Sequence, residues 1–329
     1  MADRLHPLFF QPVCRQQPWA GGRLAAFLGE DSSARPDTGE WWQLIDDGET
    51  QSVVAAGPLR GVTLRELVRS HTTDLIGRRS SPSAPFPLCA RLLDTAADQP
   101  LSVHPAGDRR TDAGVVRTNT RFWYLLQAAP GATVTVGIAS SVTGQQVLTM
   151  LDEPGLPRLL HQTPARPGDA YLIPAGIVHS IGAGNLVWEL AECNVPPCRL
   201  RTADGRGAVP PEERDMAVRA LLLESRQSLR IQRETSAATH TRRIVLTPNC
   251  PHFMVDEIRL FDYISLRTTG ESFHLLTVVA GTVAIKWREG ALELAAGDLC
   301  CVPASLGEYR VAIVNGPAEL LRVTRPFVP

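Results

Sequence analysis

The apolar positions of this chain fall in short runs separated by glycine turns, and the runs come in two matching sets. In the first, Phe122-Trp123-Tyr124-Leu125-Leu126 and Val134-Thr135-Val136 flank a turn at Gly131. In the second, Leu275-Leu276-Thr277-Val278-Val279 and Val283-Ala284-Ile285 flank Gly281. Aromatic and β-branched runs interrupted in this way predict antiparallel strands. A third run follows each pair, entered through a turn and left through a proline. Pro167-Gly168-Asp169 leads into Tyr171-Leu172-Ile173 and then Pro174-Ala175-Gly176. Ala296-Gly297-Asp298 leads into Leu299-Cys300-Cys301-Val302 and then Pro303. Glycine supplies the backbone freedom of a tight turn, and proline, lacking an N–H, ends a ladder strand. A strand–turn–strand–turn–strand unit that occurs twice predicts a mainly β protein with two barrel modules.

Helical insertions are few. Thr63 can cap a helix to His71, with Glu66 at capping-box spacing. Residues 143–161 contain a weak helical pattern. Pro210-Pro211 opens a helix to about Arg226, whose apolar face would be Met216, Val218, Leu221 and Leu222. The predicted organisation is an N-terminal module over residues 1–205, a helical connector over 206–245 and a C-terminal module over 246–329.

Composition narrows the partners. With 329 residues and a net charge of −1, no bulk field favours nucleic acid or an anionic membrane. No apolar run approaches the roughly 20 residues of a membrane span. The N-terminus lacks the charged and apolar regions of a leader, so the chain reads as cytoplasmic. Seven cysteines without a CxxC pair read as reduced, mostly buried thiols, with Cys300 and Cys301 on opposite strand faces. Lys286 is the sole lysine, so any lysine-dependent step has one candidate.

The bend after Pro174 presents His179, in a place suited to a metal ligand at a barrel mouth; the second copy has Glu308 there. Other segments stand out beside it: Pro18-Trp19-Ala20-Gly21-Gly22, Gly39-Glu40-Trp41-Trp42, Gln51-Ser52-Val53-Val54, Leu92-Leu93-Asp94 and Leu101-Ser102-Val103-His104-Pro105. In this order and spacing the chain resembles the type I mannose-6-phosphate isomerases, zinc enzymes of the cupin superfamily. The resemblance implies two cupin-type jelly-roll barrels and a sugar-phosphate substrate. It also implies a zinc or other divalent metal bound by the N-terminal module; with Glu308 at the bend and no histidine in its later strands, the C-terminal module is expected to hold none. Oligomeric state is not implied.

Carried over position by position, the resemblance makes His104 and His179 the metal-binding histidines. The family's glutamine ligand falls on Ser102, and its Lys-x-Glu motif falls on Asn119-Thr120-Arg121. Arg199, ten residues after Glu189, matches a family Glu-to-Arg spacing; the aspartate between them falls on Val195. Glu189 and Arg199 become the catalytic candidates, and Ser102, Asn119 and Arg121 the substrate-binding ones. Two histidines with one or two carboxylates make an ordinary zinc set, but two histidines alone do not. At about 4 Å and an effective dielectric near 20, Arg121 would oppose each unit of metal charge by about 4 kcal/mol. Either Arg121 turns away to bind an anion or the metal site is weakened or absent; Glu189, Glu192 and Cys193, near in sequence, could offer replacement ligands. Three readings follow: a mannose-6-phosphate isomerase, a non-catalytic sugar or sugar-phosphate binder, and a related metal-dependent sugar enzyme with a rebuilt ligand set. His161, His240, His252 and His274 are expected to be structural and without partners.

Overall fold

Both sets of predicted strands form. The computed structural model of the chain describes residues 5–31, 37–111, 114–139, 142–192, 197–221, 229–232 and 240–326. Strands Arg121–Ala128, Thr133–Ile138 and Ala170–Ile173 make the first set, and His274–Ala280, Thr282–Trp287 and Leu299–Val302 the second. The entry turns match in detail. Gly168 and Gly297 have φ of 84° and 92°, open to glycine and strained for other residues. The aspartate after each one turns back on the chain: Asp169 accepts from the Arg166 N–H at 3.2 Å, and Asp298 from the Ala295 N–H at 2.8 Å.

Four sheets form a stack. A four-stranded sheet from the C-terminal part shares one core with a six-stranded sheet through Ile258, Leu276, Ile285 and Val311. That six-stranded sheet packs its other face on a second six-stranded sheet through Val255, Leu275, Phe122 and Trp188. The second six-stranded sheet faces a five-stranded sheet through Leu93, Trp123, Val136 and Ile181. No sheet closes into a barrel among the described residues. The stack explains why the apolar runs do not alternate with polar residues. Both faces of the two central sheets are covered, so Leu92 and Leu93 enter different cores, as do Phe122 and Trp123, and Cys300 and Cys301. The N-terminal strand Leu8–Phe9 pairs with Leu299–Val302, tying the two ends of the sequence together.

Helix Leu64–Leu75 carries the expected Thr63–Glu66 capping box. The 143–161 segment is shorter than expected as a helix, Gly144–Thr149, and ends in the strand Leu160–Pro164. In helix Pro211–Ala220 the expected apolar face is displaced: Met216 is 53% exposed, and Ala217, Val218 and Leu221 face the core. Leu222 lies outside the described residues. Asp94, of the Leu-Leu-Asp segment, caps helix Arg23–Phe27 by accepting from the Leu24 N–H at 2.8 Å. Gly21 lies so close that a Cβ would sit 2.2 Å from the Asp94 carboxylate, which accounts for glycine there.

Two expectations fail on particular side chains. Cys89 is disulfide-bonded rather than reduced, whereas Cys198, Cys250, Cys300 and Cys301 are free; Cys193 lies outside the described residues. His274 is not partnerless, because its Nδ1 hydrogen-bonds the Tyr309 hydroxyl. Burial, with Arg322 and Arg243 nearby, lowers His274 to about 3. As pH falls below the unfolded histidine's value near 6.5, the unfolded chain takes a proton that the native chain refuses, so stability is lost. At pH 5 that cost is about 2 kcal/mol. Urea unfolding at neutral pH and at pH 5 should show His274→Gln losing this share of the pH dependence; equal dependence in both proteins would refute it.

Candidate functional site

Strand register assembles the site. In an antiparallel sheet, residues directly opposite one another share a face. In the five-stranded sheet, Ser102 of strand Leu101–Val103 lies opposite both His179 and Arg199. In the facing six-stranded sheet, Glu189 of strand Asn185–Ala191 lies opposite Arg91 and Trp123, and Arg91 lies opposite Trp42. The two rows meet across the sheet interface, with the Trp123 and His179 rings 5.5 Å apart, edge to face. Between them opens a cavity of about 650 Å³ lined by both rows, together with His104 and Arg121.

The second histidine is held by the bend that begins at Pro174. Gly176 donates its N–H to the His104 carbonyl at 2.8 Å, and the His104 and His179 rings stack with centroids 4.8 Å apart. Both rings are buried. Burial first, then the nearby Arg121, lowers His104 well below the usual histidine range. His179 is lowered to about 4, by burial first. Both are therefore neutral at pH 7, and their partners assign the tautomers. His179 Nδ1 bonds the Ile177 carbonyl at 2.8 Å, so Nδ1 carries the hydrogen and Nε2 the lone pair. His104 Nδ1 meets an Arg121 N–H at 3.1 Å; a guanidinium only donates, so this nitrogen accepts and the hydrogen sits on Nε2.

Arg121 points inward. One terminal nitrogen donates to Glu189 at 2.8 Å and the other to His104, while its buried Nε has no hydrogen-bond partner among the described residues. Glu189 collects three donors. It accepts from Arg121, from Arg91 at 2.7 Å and from the Trp123 indole at 2.8 Å. Burial would raise its pKa, but Arg121 and Arg91 outweigh this and hold it at about 2. Arg91 also reaches Glu40 at 3.0 Å and lies 4.5 Å over the Trp42 ring. Two arginines and two glutamates thus balance, with both histidines neutral.

The other expected site residues are placed as follows. Ser102 lines the cavity but gives its hydroxyl to the Pro100 carbonyl at 3.2 Å. Arg199 lies at the rim with its side chain 42% exposed, and forms a two-pronged pair with Glu213 at 2.7 and 2.8 Å. Asn119, expected to face substrate, instead shapes a turn outside the cavity lining. Its φ is 85°, its amide donates to the Pro105 carbonyl, and its backbone N–H donates to Glu192. Glu192 is consequently not a replacement ligand: it gathers the Asn119 and Thr120 N–H groups, and although it lies 3.2 Å from His252 Nδ1, that nitrogen makes no hydrogen bond among the described residues. Cys193 and Val195 lie outside the described residues. Lys286 is in the distant strand Thr282–Trp287 and does not line the cavity.

Sequence reasoning missed Arg91, Trp123 and Glu213, which become site residues only through strand register and helix docking. Glu40 was visible only as part of the Gly-Glu-Trp-Trp segment.

The residues present do not fit a divalent metal. Among the described residues no group of three or more histidine, cysteine or carboxylate side chains is placed to hold one. His104 has Nδ1 occupied by Arg121 and a hydrogen on Nε2, and the hydrogen bonds that Glu189 accepts come from two cations and an indole. A divalent ion would also add two uncompensated charges to a balanced buried set.

No protein-family model matches the chain. Over 319 residues it is 28% identical to mannose-6-phosphate isomerase ManA of Bacillus subtilis (strain 168), spanning 96% of this chain and 98% of that protein. The crystal structure of the Bacillus subtilis mannose 6-phosphate isomerase has the same fold, with a TM-score of 0.80 at 23% identity over 97% of this chain and 99% of that one. A zinc-bound mannose 6-phosphate isomerase aligns with a TM-score of 0.76 at 13% identity, over 98% and 100% of the two chains. The chain is thus similar to the mannose-6-phosphate isomerases in sequence, and shares their fold, over nearly its whole length.

Proposed function

We propose that the chain is an aldose–ketose isomerase that converts mannose 6-phosphate to fructose 6-phosphate in the cavity between the two sheets. The observation that carries this reading is the stacked pair His104 and His179, two neutral imidazoles in complementary tautomers facing one cavity. The names of its relatives support it. Isomerisation moves a proton between the two carbons that exchange carbonyl and hydroxyl, through an enediol. His179 Nε2, with its free lone pair, takes and returns that proton. The His104 Nε2–H donates to the oxygen on which charge develops. Trp123 and Trp42 wall the cavity. Arg199, the exposed arginine of the rim, receives the phosphate by releasing part of its pair with Glu213.

A lysine at the cavity is lacking, and loss of a positioning or proton-transfer group costs about 10²–10⁴-fold in rate. A coupled assay for fructose 6-phosphate should therefore give turnover at least about 10²-fold below that of the Bacillus subtilis enzyme measured alongside. Calorimetry should show mannose 6-phosphate binding. The second reading, binding without turnover, is favoured by the contact of Arg121 with both Glu189 and His104. Binding with no product would select it, and absence of binding at millimolar sugar phosphate would remove both readings.

A further inference from the structure

We propose that Arg121 takes over the electrostatic role of a metal in this pocket by fixing His104 as a polarised hydrogen-bond donor, so that the site works without a divalent cation. The geometry is a short chain of contacts. Glu189 anchors one terminal nitrogen of Arg121 at 2.8 Å, and the other terminal nitrogen donates to His104 Nδ1 at 3.1 Å. A cation donating to one ring nitrogen withdraws electron density from the other, so the His104 Nε2–H becomes a stronger donor. It points the site's positive character at a substrate oxygen through a neutral imidazole. Arg121 is thus a positioning residue, and His104 the group that touches substrate.

The arrangement is rigidly built. Asn119 takes up its positive φ two residues before the strand that Arg121 opens, and Glu192 clamps the Asn119 and Thr120 N–H groups at 2.9 and 3.1 Å. Arg121 is 6% exposed, and swinging out of the pocket would give up its pair with the buried Glu189. His179 is held in the opposite tautomer by the Ile177 carbonyl. The two rings therefore offer one acceptor and one donor, where a metal site requires two lone pairs.

The role of the His104 donor rests on the proposed sugar-phosphate function; the absence of a metal requirement does not, and the two are tested separately. Imidazole ¹⁵N spectra of tag-free protein at pH 7 should show His104 as the Nε2–H tautomer and His179 as the Nδ1–H tautomer, unchanged by added zinc chloride. In Arg121→Gln the His104 signals should shift towards a mixture of tautomers while those of His179 remain. Arg121→Glu restores a carboxylate at the metal, and should gain stoichiometric zinc uptake by calorimetry that His179→Ala in the same background removes. In wild type, mannose 6-phosphate affinity should be the same within about twofold before and after chelation with EDTA, and should fall about tenfold or more in Arg121→Gln. One zinc per wild-type chain, lost on replacing His104 or His179, would overturn the proposal, as would an unshifted His104 tautomer in Arg121→Gln. Failure of mannose 6-phosphate to bind, with tautomers and zinc results as expected, would instead remove the sugar-phosphate reading alone. A thermal melt of each variant separates these effects from unfolding.

Discussion

Replacing Glu189 by alanine should cost the fold about 3–5 kcal/mol, the range for stranding a buried charge. Glu189 is 3% exposed and is the only carboxylate paired with Arg121 among the described residues, while Arg91 retains Glu40. The variant leaves the Arg121 guanidinium buried opposite an alanine and the Trp123 indole N–H without its acceptor. Part of the loss should return when the stranded charge is removed as well. Arg121→Met in the Glu189→Ala background should be less destabilised than the sum of the single variants by about 1–3 kcal/mol, the size of coupling found within one ionic network. Urea unfolding followed by tryptophan fluorescence reads all four corners of this cycle. A Glu189→Ala protein within about 1 kcal/mol of wild type would show that the ion pair is not the anchor of the site.

The second large effect is kinetic. His179→Ala should lower kcat for mannose 6-phosphate isomerisation by about 10²–10⁴-fold, the usual weight of a positioned general base, with KM little changed. The split matters because His179 also packs on Trp123 and stacks on His104. A collapse of the cavity would raise KM and lower the melting temperature together. His179→Gln, which keeps much of the volume and a group able to meet the Ile177 carbonyl, should fall as far in kcat while retaining stability. A glutamine variant turning over at the wild-type rate would disprove the assignment of His179 as the base.

His179 and the repeated bend were readable because local chemistry writes them into the sequence, whereas His104 stood out through the resemblance. A glycine turn, a short apolar run and a proline favour one local geometry, and residues 167–179 and 296–308 adopt matching turns and strands. The Thr63 capping box is equally local. The runs that refuse to alternate already carried the information that the central strands are covered on both faces, although not what covers them.

Register and charge balance lay beyond that reach. Nothing near Arg91 in the sequence announces Glu189, 98 residues away, or places Trp123 opposite it; pairing of three strands does. Glu213 meets Arg199 only because helix Pro211–Ala220 docks beside the strand Cys198–Arg201. Asn119 read as a pocket residue because its motif neighbours are, yet its left-handed backbone and the distant Glu192 turn it into a hinge of the adjoining strand. The sequence by itself determined that a cation stands where an acidic metal ligand was expected. Only the tertiary structure decided the consequence: a buried charge must find its counterion, so Arg121 turns onto Glu189 and His104 and closes the place where a metal would bind.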